Sequence, residues 1–405
     1  MHRRDFLGFA ALGLGALAAP ARAAPRPDAI WREVFARMPP AVAAIAFDPA
    51  HAVQLRWVRI ASDADGTRRY VAHDFGWQPR RWFPAASVVK LPMALLMAEA
   101  VQAAGGDPGT ILRLDAPPAT GAWGDEPPAE TFARGIARTF AVSDNVPFNR
   151  WYELLGGDRI HARLAELGYP HVRLISRLGS SDREANRRTG GGALFAADGR
   201  ELRRFAPGTA AERRFPFGEA RLGAGWREDD GRLVPGPRDF SRANALPLAD
   251  SLGMLQAFIA PESVPERRRW RIDGAMRARL LRALALRPRE SDDPVYPEAQ
   301  FPDGYARWFF VGDGRAQYPD GLTVFGKSGM AYGTLSEVAW VVDLGVDGGP
   351  SSEFLLAASL HANADGILND DRYDYDTVAL PFLAAWSRAV LEIERERRAG
   401  RRAQR

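Results

Sequence analysis

Apolar runs with strand periodicity lie near both ends of the chain, and the pattern between them is helical. Three predicted strands near the start are AVAAIAF (41–47), VQLRWVRI (53–60) and RRYVAHDF (68–75). Three near the end are LTVFGKSG (322–329), SEVAWVVDL (336–344) and EFLLAASLHA (353–362). The pattern predicts helices over 88–103, 130–139, 146–155, 158–167, 248–260 and 274–286, and a terminal helix from about Asp376 to Arg398. Strands from both ends around a helical middle predict one α/β domain over residues 24–405, with its sheet formed by joining the termini.

Two stretches of this domain read as insertions. Residues 187–243 are rich in Gly, Arg and Pro and have weak periodicity, and residues 287–320 carry Pro, Asp and Gly with interspersed aromatic residues. Segments of this length are often lids over a functional site, and decoration of the surface is the alternative.

The first 23 residues resemble a cleavable export signal of the twin-arginine type. Arg3 and Arg4 precede an apolar run over residues 7–19, and Ala21-Arg22-Ala23 offers small residues for cleavage. The apolar run is too short to span a bilayer, so we expect a periplasmic or secreted protein with no stable membrane anchor. An uncleaved anchor or a mis-started reading frame is the alternative.

The amino-acid composition excludes several classes of protein and of functional site. The chain has 405 residues, 46% hydrophobic residues, 54 Lys and Arg against 50 Asp and Glu, and no cysteine. These values are typical of a globular protein, and they exclude a disordered chain, a disulfide scaffold, a thiolate metal site and a cysteine nucleophile. The small net charge gives little reason to expect nucleic acid. The histidines have no metal-ligand spacing, so we expect neither a metal nor a cofactor.

Lysine is far rarer than arginine in this chain. Lys90 and Lys327 are two lysines among 54 cationic residues. A buried ammonium can lose its proton near neutral pH, whereas a guanidinium cannot, so the two positions are candidates for proton chemistry.

The first lysine follows a serine at helical spacing. Ser87 and Lys90 lie three residues apart at the start of an apolar helix, so their side chains share one face. Burial would lower the proton affinity of the amine, which could then accept the proton of the serine and make it a nucleophile.

Two further motifs are candidates for the same cleft. Ser143-Asp144-Asn145 precedes a helical segment, where an N-cap is the simpler interpretation. Lys327-Ser328-Gly329 ends a strand, where Gly329 would allow a substrate close to the backbone. Residues 321–328 also fit the phosphate-loop pattern, but the helix that such a loop must open is missing, so we reject a nucleotide site.

In this order, the three motifs resemble those of the penicillin-recognising serine hydrolases, and of class A β-lactamases most closely. The resemblance implies a five-stranded antiparallel sheet flanked by helices, beside an all-helical part, with the serine between them. It implies that Ser87 is the acylated nucleophile and Lys90 its proton acceptor. Ser143 would relay a proton to the leaving nitrogen, and Asn145 would help to hold Lys90 and the substrate.

The resemblance also implies how substrate is held. Lys327 and Ser328 would bind its carboxylate, and the backbone N–H groups of Ser87 and Met330 would form the oxyanion hole. The third motif has Ser328 where the better-known form has threonine, a change that keeps the hydroxyl.

The chain departs from class A enzymes in the loop that supplies the deacylating base. The family has a glutamate followed four residues later by asparagine, whereas this chain has Asp182-Arg-Glu-Ala-Asn186. Aspartate is one methylene shorter than glutamate, and Glu184 is out of register with Asn186. The base is therefore Asp182, Glu184 or neither. The segment from Ser143 to Lys327 is also longer than in such enzymes.

Three functions are compatible with these residues. The first is an exported serine hydrolase that opens β-lactams, and the second a peptidase or other amide or ester hydrolase acting on peptidoglycan-like substrates. The third is a binding module that keeps the pocket without catalysis. In each case the expected partner is a small molecule, and we expect a monomer.

Overall fold

The computed structural model describes residues 27–62, 66–315, 317–345 and 352–403, so the predicted signal segment lies outside the described residues. The central sheet has five antiparallel strands and is built from both ends of the chain, as predicted. In spatial order the strands are Leu322–Ala331, Thr334–Asp343, Ser352–His361, Gln54–Ser62 and Arg68–Phe75. The strand that carries Lys327 is therefore at an edge, where one side of its backbone has no partner strand.

The helices agree with the sequence pattern, and the ends of the six predicted middle helices lie within two residues of the expected positions. Their bounds, in chain order, are Ala29–Ala36, Pro40–Ala44, Lys90–Ala103, Phe132–Ala141, Asn145–Leu155, Gly157–Glu166, Arg183–Arg187, Leu248–Ile259, Gly274–Ala285 and Leu380–Ala403. The terminal helix begins later than predicted, because a wide turn over Tyr375–Ala379 precedes it.

The prediction of a strand over 41–47 was wrong. This segment forms the helix Pro40–Ala44 and a 3₁₀ turn over Ile45–Phe47. Proline at the first helical position is preorganised for a helix, and the alanines that follow have high helix propensity. The segment is too short and too uniformly apolar to show a helical period, so its hydrophobic pattern did not indicate a helix.

The segment 187–243 is folded into short strands. Gly192–Phe195 and Glu201–Phe205 extend a sheet that begins with Ala129–Thr131 and Ile111–Leu114. The remaining short strands are Arg188–Thr189, Gly208–Thr209, Arg221–Leu222, Gly225–Arg227, Leu233–Pro235, Arg238–Asp239 and, from the C-terminal part, Ile367–Leu368. Within 287–320, the described residues contain one 3₁₀ turn, Pro288–Glu290, and otherwise follow an irregular path.

The helix Lys90–Ala103 lies at the centre of the larger core. Its apolar side chains point all round, and Leu91, Met93 and Leu95 are fully buried, as the uninterrupted apolar sequence predicts. The segment Ala86–Ala103 is long and apolar enough to cross a membrane, but 67% of it is buried inside the protein, as in the core helix of a globular domain. The nucleophile candidate thus stands on a rigid element.

A second core joins the other face of the sheet to both chain ends. Trp386 of the terminal helix stacks on Trp31 of the first helix, with ring centroids 6.4 Å apart, and meets Phe309 edge-on at 5.5 Å. Aromatic side chains of this size dominate the free energy of a core, so Trp386 couples the insertion 287–320 to the sheet.

We expect Trp386→Ala to lower the free energy of unfolding by about 3–5 kcal/mol, because the change removes a fully buried ring and leaves a cavity. Urea denaturation followed by circular dichroism measures the change. Glu392→Ala on the same helix is the control, since that side chain is exposed and its loss should change stability by under about 0.5 kcal/mol. Equal effects of the two substitutions would contradict the assigned core.

Candidate active site

Ser87 lies on the 3₁₀ turn Ala86–Val89, immediately before the Lys90 helix. Ala86 has a φ of 44°, a left-handed conformation that is uncommon for a residue with a Cβ. The turn and the helix start bring Ser87 Oγ to 2.7 Å from Lys90 Nζ. Ser87 is partly exposed and Lys90 is fully buried, so the hydroxyl faces the cleft while the amine lies behind it.

Ser143 is the second contact of the Lys90 amine. Its φ of 60° is also left-handed, and it turns both the carbonyl oxygen and Oγ towards Lys90. The amine donates to the carbonyl oxygen, and Nζ lies 3.2 Å from Oγ. Asp144 fixes this turn, because its carboxylate accepts the Val146 N–H at 2.9 Å and pairs with Arg138.

Lys327 completes a chain of polar groups. Its Nζ lies 2.8 Å from Ser143 Oγ and donates to the Ser328 carbonyl oxygen at 2.8 Å. The hydroxyl of Ser143 therefore stands between the two lysines of the protein. The structure brings together Ser87, Lys90, Ser143 and Lys327, four of the residues that the sequence motifs singled out.

Burial sets the protonation of the two amines. Loss of hydration lowers the pKa of Lys90 to about 7, although the Asp144 carboxylate opposes the shift. The pKa of Lys327 is held well below its usual value, first by burial and then by the charges of Lys90 and Arg307. Two ammonium groups in contact with the one Ser143 hydroxyl would repel each other, so a neutral amine is favoured at this site.

A neutral Lys90 amine fits its surroundings. Such an amine has two N–H donors and one lone pair. The two acceptors on Ser143 take the donors, which leaves the lone pair for the Ser87 hydroxyl proton at 2.7 Å. This is the arrangement required of a general base that activates a serine.

Gly329 sets the distance between the edge strand and the nucleophile turn. A Cβ built at this position would lie 2.6 Å from the Ala85 carbonyl oxygen and 2.9 Å from the Ser87 nitrogen. Both neighbours are backbone atoms that cannot move aside. Only glycine allows the strand so close to this turn, and the next residue, Met330, lies on the same edge strand. The oxyanion-hole role of the two N–H groups stays a prediction.

Ser328 is engaged by the insertion 287–320. Its side chain is buried, and its hydroxyl donates to the Ala306 carbonyl oxygen at 2.5 Å. The same insertion is held to the neighbouring strand by Glu337, which accepts the N–H groups of Trp308 and Phe309 at 2.9 and 3.0 Å. Burial raises the pKa of Glu337 to about 7, against the effect of these donors. For Ser328 to bind substrate as predicted, its hydroxyl must exchange Ala306 for the substrate.

Asn145 begins the helix Asn145–Leu155 and is partly buried at the cleft. Within the described part of the chain, the Lys90 amine finds its hydrogen bonds on Ser87 and Ser143 rather than on Asn145. The backbone carbonyl of Ser143 thus performs the holding role that the motif assigned to the amide.

The candidate deacylating carboxylates lie on the surface. Asp182 is exposed and caps the helix Arg183–Arg187 by accepting the Ala185 N–H at 2.9 Å. Glu184 is exposed and lies 3.4 Å from Arg187. Among the described residues, neither carboxylate is hydrogen-bonded to the serine–lysine group.

Asn186 is a buried anchor of its loop. Its Oδ1 accepts the Arg177 N–H at 3.0 Å, and its Nδ2 donates to the Ser180 carbonyl oxygen at 3.4 Å. Arg177 in turn forms a buried ion pair with Glu153. Sequence reasoning missed this pair, although a charged residue at a buried position of a predicted helix, as Glu153 is, would have been its signal.

Part of the chain matches a known protein family. Residues 64–201, about a third of the chain, match the profile of the beta-lactamase enzyme family, and the matched range includes Ser87, Lys90 and Ser143. No curated protein sequence matches the chain.

Similar solved structures have low sequence identity. They include a beta-lactamase from Sphaerobacter thermophilus (16% identity, 90% of this chain and 97% of the other, TM-score 0.47). A carbapenemase from Vibrio cholerae has 12% identity over 89% of this chain and 98% of its own, with a TM-score of 0.45. A mutant of PBP-A, solved as an acyl-enzyme complex with penicillin G, has 14% identity over 93% and 100%, with a TM-score of 0.44.

We expect Gly329→Ala to slow acylation of Ser87 by about 100-fold, because a displacement of the order of 1 Å separates the edge strand from the nucleophile. The rate of adduct formation with an acylating probe, followed by intact-mass spectrometry, measures this. Gly208→Ala is the control, since a Cβ there meets no atom within 4 Å. A Gly329→Ala protein that reacts as fast as the control would show that the close approach is dispensable.

Three observations agree: the topology of the sheet, the meeting of the three motifs near one buried amine, and the family match over the segment that contains Ser87. The described chain has the five-stranded antiparallel sheet expected of a penicillin-recognising serine hydrolase, and residues 64–201 match the beta-lactamase enzyme family.

Proposed function

We propose that the protein is an exported serine hydrolase of the class A β-lactamase type, which opens β-lactam amides through an acyl-enzyme on Ser87. The observation that carries the proposal is the chain of contacts from Ser87 Oγ through Lys90 Nζ and Ser143 Oγ to Lys327 Nζ, with separations of 2.7, 3.2 and 2.8 Å. Within this series of contacts, the Lys90 amine has a pKa of about 7, which suits it to accept and return a proton at physiological pH.

In the first step, the lone pair of Lys90 takes the Ser87 proton as Oγ attacks the carbonyl carbon of the lactam. The carbonyl electrons move to oxygen, and the N–H groups of Ser87 and Met330 stabilise that oxyanion. Preorganised donors of this kind contribute about 3–4 kcal/mol each to the transition state. Lys327, behind the hydroxyl of Ser143, would donate a hydrogen bond to a substrate carboxylate.

In the second step, the carbon–nitrogen bond breaks and the nitrogen needs a proton. Ser143 Oγ–H donates it, and the hydroxyl is restored by the proton that Lys90 has taken, across 3.2 Å. The product is an ester on Ser87. Its free amine stays in the same molecule, because opening the lactam ring leaves the acyl and amine parts covalently joined. Lys90 is again neutral at the end of this step.

Hydrolysis of the ester requires a base for water. We propose Asp182 for this role, although its exposed capping position means that the loop must bring it towards Ser87. The same observation favours a second candidate, a peptidase of the D,D type or another amide or ester hydrolase, in which a β-lactam would form a long-lived ester. Export by a twin-arginine-type signal over residues 1–23, to the periplasm or beyond, is part of the proposal and is supported by the sequence pattern.

The rate of acylation should rise with pH through about 7. Burial lowers the pKa of Lys90, so the amine is mostly ammonium below pH 7 and cannot act as base, and it is mostly neutral above pH 7. Lys90→Arg should reduce the rate by about 100- to 10,000-fold at every pH, because guanidinium stays protonated. Stopped-flow acylation with a chromogenic cephalosporin between pH 5 and 9 measures both. A flat wild-type profile, or a fully active and correctly folded Lys90→Arg protein, would exclude Lys90 as the base.

Asp182→Asn should leave acylation by benzylpenicillin unchanged and slow release of the adduct by about 100-fold. Asparagine caps a helix as well as aspartate does, so the substitution removes the base without removing the cap. Intact-mass analysis over time after mixing follows both steps, with Glu184→Gln as the matched control. If Asp182→Asn releases the adduct at the wild-type rate, Asp182 is not the base. If the wild-type adduct itself persists for hours, the peptidase candidate is favoured.

A further inference from the structure

A cavity of about 1240 Å³ opens beside the nucleophile turn. Ala85 and Ala86 line it at one end, and Tyr332, in the hairpin after the Lys327 strand, lines it at another. The segment 173–187 and the insertion 187–243 supply most of the remaining wall. The cavity is thus continuous with the turn that carries Ser87 but extends well beyond it.

The insertion 187–243 forms a folded wall for this cavity. Its strand Gly225–Arg227 pairs on one side with Leu233–Pro235 and on the other with Ile367–Leu368 from the C-terminal part of the chain. Phe240 and Leu368 are buried together in a small core beneath the wall. A surface decoration would not need this attachment to a strand from the C-terminal part of the chain.

The wall is strongly cationic. Nine arginines line the cavity, against five carboxylates. Several of the arginines are paired, such as Arg183 with Glu212 and Arg213 with Asp158. Five of the nine have no carboxylate within ion-pair distance in the part of the chain that the structure describes, and Arg173 and Arg238 are two of these five.

Arg173 is a buried cation without an anion. Only 5% of the residue is exposed, its Nη1 donates to the Ser241 carbonyl oxygen at 2.9 Å, and its Nε is buried with no hydrogen-bond partner among the described residues. Burial and the charge of Arg213 lower the pKa of Arg173 to about 10. Burying a charge without a partner is costly, so this guanidinium is suited to an anion from outside the chain.

Arg238 is held in position by aromatic rings. Its guanidinium carbon lies 5.0 Å from the ring centroid of Trp226, 5.4 Å from that of Phe240 and 5.2 Å from that of Tyr332. Its Nη1 has no hydrogen-bond partner in the described part of the chain. Rings on several sides fix the guanidinium without neutralising it, which preorganises its N–H groups for a carboxylate.

The position of the cavity indicates which part of a substrate reaches it. Ser143 and Lys327, which receive the leaving nitrogen and its carboxylate in the proposed mechanism, are not among its lining residues. Ser87 is not among them either, but Ala85 and Ala86 of its turn are, so the cavity adjoins the nucleophile turn without including the groups assigned to the leaving nitrogen. The group that stays on Ser87 as the acyl moiety therefore extends into it.

We propose that this cavity binds a carboxylate carried on the acyl side of the substrate, with Arg173 and Arg238 as its ligands. The inference rests on the proposed function for the direction of the substrate, and it assigns the insertion 187–243 to substrate selection. The preferred substrate class is an amide whose acyl group bears a carboxylate several bonds from the reacting carbonyl or on its α-substituent.

Two penicillins that differ by one carboxylate test the proposal. Benzylpenicillin and its α-carboxy analogue, carbenicillin, should acylate Ser87 with second-order rate constants that differ by about tenfold in favour of carbenicillin, as expected for one charge-assisted hydrogen bond. Arg238→Gln and Arg173→Gln should each bring the ratio of the two rate constants to about one. Arg267→Gln is the control, because that arginine is exposed and does not line the cavity, and it should keep the wild-type ratio.

A ratio near one in the wild-type protein, or a wild-type ratio in a folded Arg238→Gln variant, would overturn the proposal. Arg238 is half-buried, so its variant is the one expected to fold if the loss of Arg173 disrupts the core. Thermal denaturation checks the folding of each variant.

A binding arm separates this inference from the proposed function. In Ser87→Ala, which cannot be acylated, calorimetry should give a dissociation constant about tenfold lower for carbenicillin than for benzylpenicillin, and Arg238→Gln in that background should remove the difference. If neither penicillin labels the wild-type serine, the proposed function fails and the calorimetric ratio alone decides whether the cavity binds the carboxylate. Equal dissociation constants would then reject it.

Discussion

The candidate active site depends on the burial of one amine between two serines, with no carboxylate among its hydrogen-bond partners in the described structure. Lys90 is fully removed from water, and its hydrogen bonds in the described structure come from Ser87 and Ser143. A carboxylate at the same distance would keep the amine charged, and a charged amine would stabilise the serine hydroxyl instead of accepting its proton. The Asp144 carboxylate raises the pKa of Lys90, but its own contacts are with the Val146 N–H at the helix cap and with Arg138. The burial that destabilises the ammonium is thus what the proposed chemistry requires.

This arrangement requires rigid support, and the fold supplies it from two directions. The Lys90 helix is anchored in the larger core by apolar side chains on every face. The edge strand approaches from the other side and is brought to backbone contact through Gly329. Left-handed φ values at Ala86 and Ser143 are the local cost of aiming both serines at one amine, and such conformations persist where the surrounding structure enforces them.

The insertions give this site its individual character. The segment 287–320 passes over the edge strand, where it occupies the Ser328 hydroxyl and the Glu337 carboxylate. The segment 187–243 builds an arginine-lined wall of the cavity beside the turn that carries Ser87. The proposed reacting groups thus lie on a helix and strands that the sequence pattern predicts, whereas the surfaces that would select a substrate come from segments without clear periodicity.

The sequence by itself determined the two-ended sheet, the buried helix and the identity of four converging residues. It could do so because apolar period, helical spacing and the rarity of lysine are local properties of the chain. Proline and alanine also determined the helix at 40–44, but the strand assignment for 41–47 weighed the apolar run above them.

Only the tertiary structure decided which residues are in contact. It placed the Ser143 carbonyl, rather than Asn145, on the Lys90 amine, and it made Asp182 a surface cap. It also left Arg173 and Arg238 without carboxylates. A sequence gives the number of arginines, but whether each finds an anion depends on which distant segments fold against it.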